Sequence, residues 1–258
     1  METTNSRFSF HGFRGFNGST LKMIAIITML IDHTAAAAIG PLRNSLPDEY
    51  ADLAAFCRMI YPHMRSIGRL AFPIFCFLLV EGFFHTRNAI KYAERLALFC
   101  LISEFPYDYA LKGKPFYLSA QNVYFTLLIA MLVMIIITWF DRQPRRHTWQ
   151  NYLFLTMQML TVAAGLYLAQ FLHTDYGYKG VLLILVLFFL RPDRNIQAVF
   201  GALAISWERY APFAFLPIWL YNGERGRQHK YFFYWFYPGH LIILGILRHF
   251  VLPMIFHY

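Results

Sequence analysis

Asp32 and His33 stand side by side deep inside Leu21–Gly40, LKMIAIITMLIDHTAAAAIG, an apolar run long enough to cross a bilayer. An aspartate at the centre of a spanning helix costs about 3 kcal/mol, so ionisable residues at such a depth as a rule serve a function. A near-neutral imidazole can take a proton from an amine or a hydroxyl, and a carboxylate beside it can orient the ring and steady the imidazolium. The bland alternative is a satisfied ion pair between packed helices. One helical step also turns Asp32 about 100° away from His33, which would let the aspartate serve a different neighbour.

Further polar residues fall at matching depths along the other apolar runs. Glu104 and Asp108 are four apart and share a helix face. With Gln121, Asn122 and Asp175 they are expected to position an acceptor, and Arg65 and Arg69 lie on the same side of the bundle. A sparser set on the opposite side holds Glu81, His85, Asn88 and, at mid-depth, His240. Lys22, Arg87, Lys91 and Arg95 form a basic rim there, continued by Arg142, Arg145 and Arg146, suited to phosphate groups. Each member has a structural reading of its own: a helix end for Glu104 and Asp108, an interhelical salt bridge for Arg69, a packing histidine for His240. The convergence is more informative than any single residue, because ionisable groups meeting inside a membrane mark a path or a reaction site. No Gly-rich phosphate loop, HExxH motif or serine elbow competes for the chemistry.

The elements that must position these residues are read from the apolar runs. The chain is 258 residues long, 58% apolar, 19% aromatic and only 14% charged, against about 25% charged in a soluble domain. These values predict an all-α polytopic bundle of about nine to ten spans. A tail at residues 1–20 precedes a single transmembrane domain at residues 21–258. Spans are expected at about residues 21–40, 67–84, 92–111, 121–140, 151–172, 177–190 and 231–253. Two short segments at residues 195–207 and 211–221 read as half-length, tilted or paired helices. An amphipathic stretch is expected in the loop before Arg65. Of the 23 Lys and Arg, 14 fall in the tail and the even-numbered loops and seven in the odd-numbered ones, which puts the N-terminus in the cytoplasm. The net charge of +9 is thereby accounted for by topology and anionic lipid rather than by nucleic acid. Cys57, Cys76 and Cys100 show no metal or redox spacing, and no metal site is expected.

The segments LKMIAIITMLIDHTAA, RSIGRLAFPIFCFLLVEGFFHTRNAIKYAERL, ISEFPYDYA, QNVYFTLL, DYGYKGVLLI and YPGHLIIL, in that order, resemble the TraX family of bacterial membrane proteins. The resemblance covers roughly residues 20–250. That family is associated with N-acetylation of conjugative pilin and is distantly similar to the integral-membrane acyltransferases that modify cell-surface glycans. Their first-helix signature, a basic residue, ten residues and then histidine, corresponds here to Lys22 and His33. The resemblance thus implies His33 as catalytic histidine and acetyl-CoA as a donor entering from the cytoplasm, in the bacterial inner membrane. The paired arginines that it assigns to the donor correspond to Arg65 and Arg69, here four apart rather than three. It leaves the acceptor open between a pilin-like protein amine and a glycan.

Two other classes remain to be weighed. A proton-coupled transporter would also use intramembrane Asp, Glu and His, but it predicts repeated halves, which the sequence lacks. A non-catalytic assembly factor for a pilus or conjugation apparatus predicts that His33 and Asp32 tolerate replacement.

Overall fold

Polar side chains start the helices of this chain. Asn17 accepts from the Thr20 amide at 2.9 Å, Asn88 from that of Lys91 at 2.9 Å and Asn122 from that of Tyr124 at 3.0 Å. Asp193 caps a fourth helix through the amides of Asn195 and Ile196. Each satisfies amides that the first helical turn leaves unpaired. A computed structural model describes residues 15–227 and 230–257, and among these all regular structure is helical. Of the tail expected at residues 1–20, residues 1–14 lie outside those described. The first helix begins at Gly18 rather than Leu21, because the Asn17 cap and a backbone bridge between Phe16 and Tyr221 fix its start.

Helix α1 (Gly18–Thr34) passes through a π-turn (Ala35–Ile39) into α2 (Gly40–Ser45). Helix α3 (Ala51–Gly68) returns along α2 and the end of α1, and α4 (Ala71–His85) continues in the same direction after a break. The amphipathic stretch expected in the loop is therefore a full helix reaching Gly68, and the second span starts at Ala71. At Gly68, the last residue before the break, α3 comes so close to α1 that a Cβ would lie 2.2 Å from the Cβ of Asp32. Helix α5 (Ala89–Tyr107) is extended by a π-turn (Asp108–Lys112) and followed by α6 (Val123–Asp141) and α7 (Thr148–Phe171). Then come α8 (Gly177–Phe189), α9 (Arg194–Ala204) and α10 (Phe215–Trp219). Helix α11 (Lys230–Ile246) reaches α12 (Leu252–Phe256) through a third π-turn (Leu247–Val251).

Among the described residues, five segments are long and apolar enough to cross a membrane: Gly18–Ser45, Asp48–His85, Val123–Asp141, Thr148–Phe171 and Tyr231–Phe256. This is a helical membrane protein. The larger span count expected from the sequence depends on shorter or more polar pieces, α5, α8, α9 and α10. Helix α8 has 13 residues, a rise of about 20 Å, less than the roughly 30 Å hydrocarbon core. It lies beside α4 in the same direction, with Phe72 stacked on Tyr176 at one end and Phe84 on Phe188 at the other. The α9–α10 hairpin spans the same short distance. Arg194 and Tyr221 meet near Glu81 at its base, while Glu208 and Trp207 reach Arg69 and Tyr176 at its tip. These paired short helices match the half-length reading of residues 195–221.

The main apolar core is built from α1, α4, α6 and α8, with α7 packed outside them. Beyond His33 the three π-turns pack against one another. A π-turn leaves carbonyls without their helical partners, and Arg248 donates to the carbonyls of Ala110 at 2.9 Å and Leu111 at 3.2 Å. The buried Ala35, Ala37 and Ala38 carry no bulk, which permits this approach.

Candidate active site

His33 stands two residues before the first π-turn, and its ring meets that of His240 on α11. Its Nδ1 lies 2.7 Å from Nε2 of His240, and Nδ1 of His240 lies 2.6 Å from the carbonyl oxygen of Phe236. The ring planes are 5° apart with centroids 5.0 Å apart, so the two imidazoles meet edge to edge in one plane rather than face to face. A carbonyl only accepts, so Nδ1 of His240 carries a proton and its Nε2 is the acceptor. With both rings neutral, His33 then donates from Nδ1, which leaves Nε2 as its basic nitrogen.

His33 lines a cavity of about 240 Å³. Asp32, Arg65, Arg69, Lys112, Asp175 and Tyr237 are among the other residues of its wall. Asp32 is turned away from His33: one carboxylate oxygen pairs with Arg65 at 2.6 Å, and the other is packed toward Gly68 without a hydrogen bond. The orienting partner of His33 is thus His240 and not Asp32, for the helical-step reason above. Arg69 pairs with Glu208 at 3.4 Å. Arg65 and Arg69 therefore sit with His33 and not with the basic rim. Asp175, in the turn between α7 and α8, faces the same cavity. Burial pushes its carboxyl up to about 6, against the pull of Lys112 and Arg69.

Four residues grouped with Asp175 in the sequence line neither cavity. Asn122 is fully buried, donates to the Cys100 carbonyl at 2.9 Å and bonds the Glu104 carboxylate, so this pair ties α5 to the start of α6. Asp108 accepts from the Tyr117 amide at 2.6 Å and holds the loop after its π-turn. Gln121 donates to the Leu118 carbonyl at 2.9 Å. These contacts hold the end of α5, its π-turn and the start of α6 together.

A second cavity, of about 560 Å³, opens on the side of the α1 N-terminus. Lys22, Glu81, His85, Arg87, Arg95 and Arg225 line it, whereas the exposed Lys91 does not. Glu81 is held by Arg191 at 3.0 Å and Arg194 at 3.5 Å, two residues that sequence reading had counted only as loop charges. Nε of Arg95 is buried without a hydrogen-bond partner. Lys22 and His33, eleven residues apart on one helix, are separated by a rise of about 16 Å. Each stands in a different cavity.

Sequence reasoning missed Phe75, Tyr107 and Tyr124 as cavity residues. An aromatic inside an apolar run gives the same signal whether it faces a void or a neighbouring helix. Among the described residues no group of His, Cys, Asp and Glu is arranged to hold a metal ion.

Fold and site together define a helical membrane protein with two polar cavities, a histidine pair in one and a basic lining in the other. The pattern of the TraX protein family matches residues 17–248, and the chain belongs to that family. It is 30% identical over 263 residues to a probable fimbrial assembly protein, FimC of serogroup H1, from Dichelobacter nodosus. That match covers 89% of this chain and 94% of the relative. No solved structure matches it.

Proposed function

We propose that this chain is an acetyltransferase of the bacterial inner membrane. It would move an acetyl group from cytoplasmic acetyl-CoA to an amine or hydroxyl of an acceptor on the other side. The observation that carries this reading is the His33–His240 pair, which leaves a basic nitrogen on His33 in a cavity while a separate basic cavity reaches toward it. The residues of the larger cavity fit a polyanionic donor: Lys22, Arg87, Arg95 and Arg225 line it, and the buried Nε of Arg95 lacks a partner. The N-terminal face is then the cytoplasmic one, in keeping with the excess of Lys and Arg on that side.

In the reaction, Nε2 of His33 accepts a hydrogen bond from the acceptor N–H or O–H and takes its proton as the nitrogen or oxygen attacks the thioester carbonyl carbon. The carbon–sulfur bond breaks, and the departing thiolate receives that proton back from Nε2. His240 holds the ring throughout and accepts from Nδ1. Asp175 gives the acceptor side a carboxylate that an amine can approach, while Asp32 is held by Arg65.

The relative named as a fimbrial assembly protein supports a pilin-like protein as acceptor ahead of a glycan. The same name also favours a second reading, a non-catalytic factor in pilus assembly. The purified protein in detergent separates the two. Free thiol release from acetyl-CoA, accelerated by a peptide amine and lost in His33→Ala, supports transfer. Near-normal turnover in His33→Ala overturns it. Donor-independent solute flux in sealed vesicles would instead favour a transporter.

A further inference from the structure

Phe75 lies on α4 between the two cavities and, among the described residues, alone lines both. The neighbouring wall is fixed. Val123 faces the smaller cavity and Tyr124 the larger, and the Tyr124 amide is held by Asn122 at 3.0 Å. Tyr124 packs edge-on against Tyr237 with centroids 5.1 Å apart, and both rings are buried. On α4 itself, Ile74 and Cys76 are fully buried in the core, whereas Phe75 is partly buried: it packs against that core on one side and borders both cavities. A ring that borders two voids has fewer neighbours to displace when it changes rotamer than the fully buried aromatics around it.

We propose that Phe75 is the acyl-selecting residue of this protein: its ring sets the aperture between the cavities and admits only a short, unbranched acyl group. The inference rests on the acetyltransferase reading. For the thioester carbon to come within reach of Nε2 of His33, the acyl group must cross the wall ahead of the sulfur. The ring of Phe75 is the part of that wall that can yield. Acetyl passes beside it, and each further methylene meets the phenyl edge. A hydrophobic pocket discriminates about 10–200-fold per methylene, enough to confine the enzyme to acetyl.

The test compares acetyl-CoA and butanoyl-CoA as donors, reading kcat/KM for thiol release with a fixed peptide amine. In Phe75→Ala the butanoyl-to-acetyl ratio should rise by about tenfold or more. Phe75→Leu should raise it less, and Phe75→Trp should depress transfer of both. If Phe75→Ala does not fold, Phe75→Leu carries the comparison, because it keeps an apolar side chain in the wall. An unchanged ratio in an active Phe75→Ala or Phe75→Leu protein overturns the proposal and leaves acetyl transfer standing. Absence of transfer from either donor by the unaltered protein overturns both.

Discussion

Nε2 of His240 lies 2.7 Å from Nδ1 of His33, and the far nitrogen of His240 is committed to the Phe236 carbonyl at 2.6 Å. A backbone carbonyl on α11 thereby dictates, through two rings, which nitrogen of a histidine on α1 is basic. The two histidines are 207 positions apart in the chain. A carboxylate in the place of His240 would hold an imidazolium more strongly; a neutral imidazole holds the tautomer without adding charge to the interior.

His240→Ala should therefore lower thiol release by about 100-fold while leaving the protein folded. The loss should fall on kcat, with little change in the KM for acetyl-CoA. His240→Gln, whose amide oxygen can accept from Nδ1, should restore part of the rate. Equal losses in the two variants would show that the ring only fills space.

Gly68→Ala would place a Cβ 2.2 Å from the Cβ of Asp32 and 2.3 Å from its Oδ1. The α1–α3 contact must open, at a cost of about 1–3 kcal/mol. A lower midpoint of thermal unfolding in detergent is the expected result, with Asp32→Gly in the same chain recovering part of it. No change in the midpoint would mean that the break before α4 absorbs the methyl freely.

Glu81 is 5% exposed and compensates both Arg191 and Arg194. Its replacement by Gln leaves two guanidinium groups facing each other at the base of the α9–α10 hairpin. The expected loss is up to about 3 kcal/mol, since removing one partner of a buried cluster strands the others. Protease cleavage within residues 190–225 should accelerate, and Glu81→Gln with Arg194→Met should be more resistant than Glu81→Gln alone.

Asp175 provides a pH signature. Burial lifts its carboxyl from 3.8 to about 6, so the folded protein binds this proton more tightly than the unfolded chain does. Between about pH 4 and pH 6 the group's contribution then becomes less favourable as pH rises, and above pH 6 the penalty is fully present. Asp175→Asn should remove it. The variant should gain stability relative to the unaltered protein at pH 7, and the gain should vanish near pH 4. A difference in unfolding midpoint that does not vary with pH would contradict the assignment.

The residues themselves determined much of this protein. Apolar runs with few charges require helices in a membrane, because lipid offers no partner to an unpaired backbone amide. His33 stands out in sequence for the same reason, as a polar group where burial is costly. The basic residues near the N-terminal face, Lys22, Arg87 and Arg95, were legible as a rim from their position between runs. Pairing was not. Asp32 stands next to His33 in sequence, yet the helical step turns it to Arg65, while the partner of His33 comes from α11. Glu104 and Asn122 read as a polar site in sequence and bond each other at the start of α6 in the structure, since a carboxylate and an amide read alike whether they meet a ligand or a backbone. Phe75 was invisible among phenylalanines. Only the packing of α1, α4, α6 and α11 decided where voids remain, and a void is a property of several helices at once, written in none of them singly.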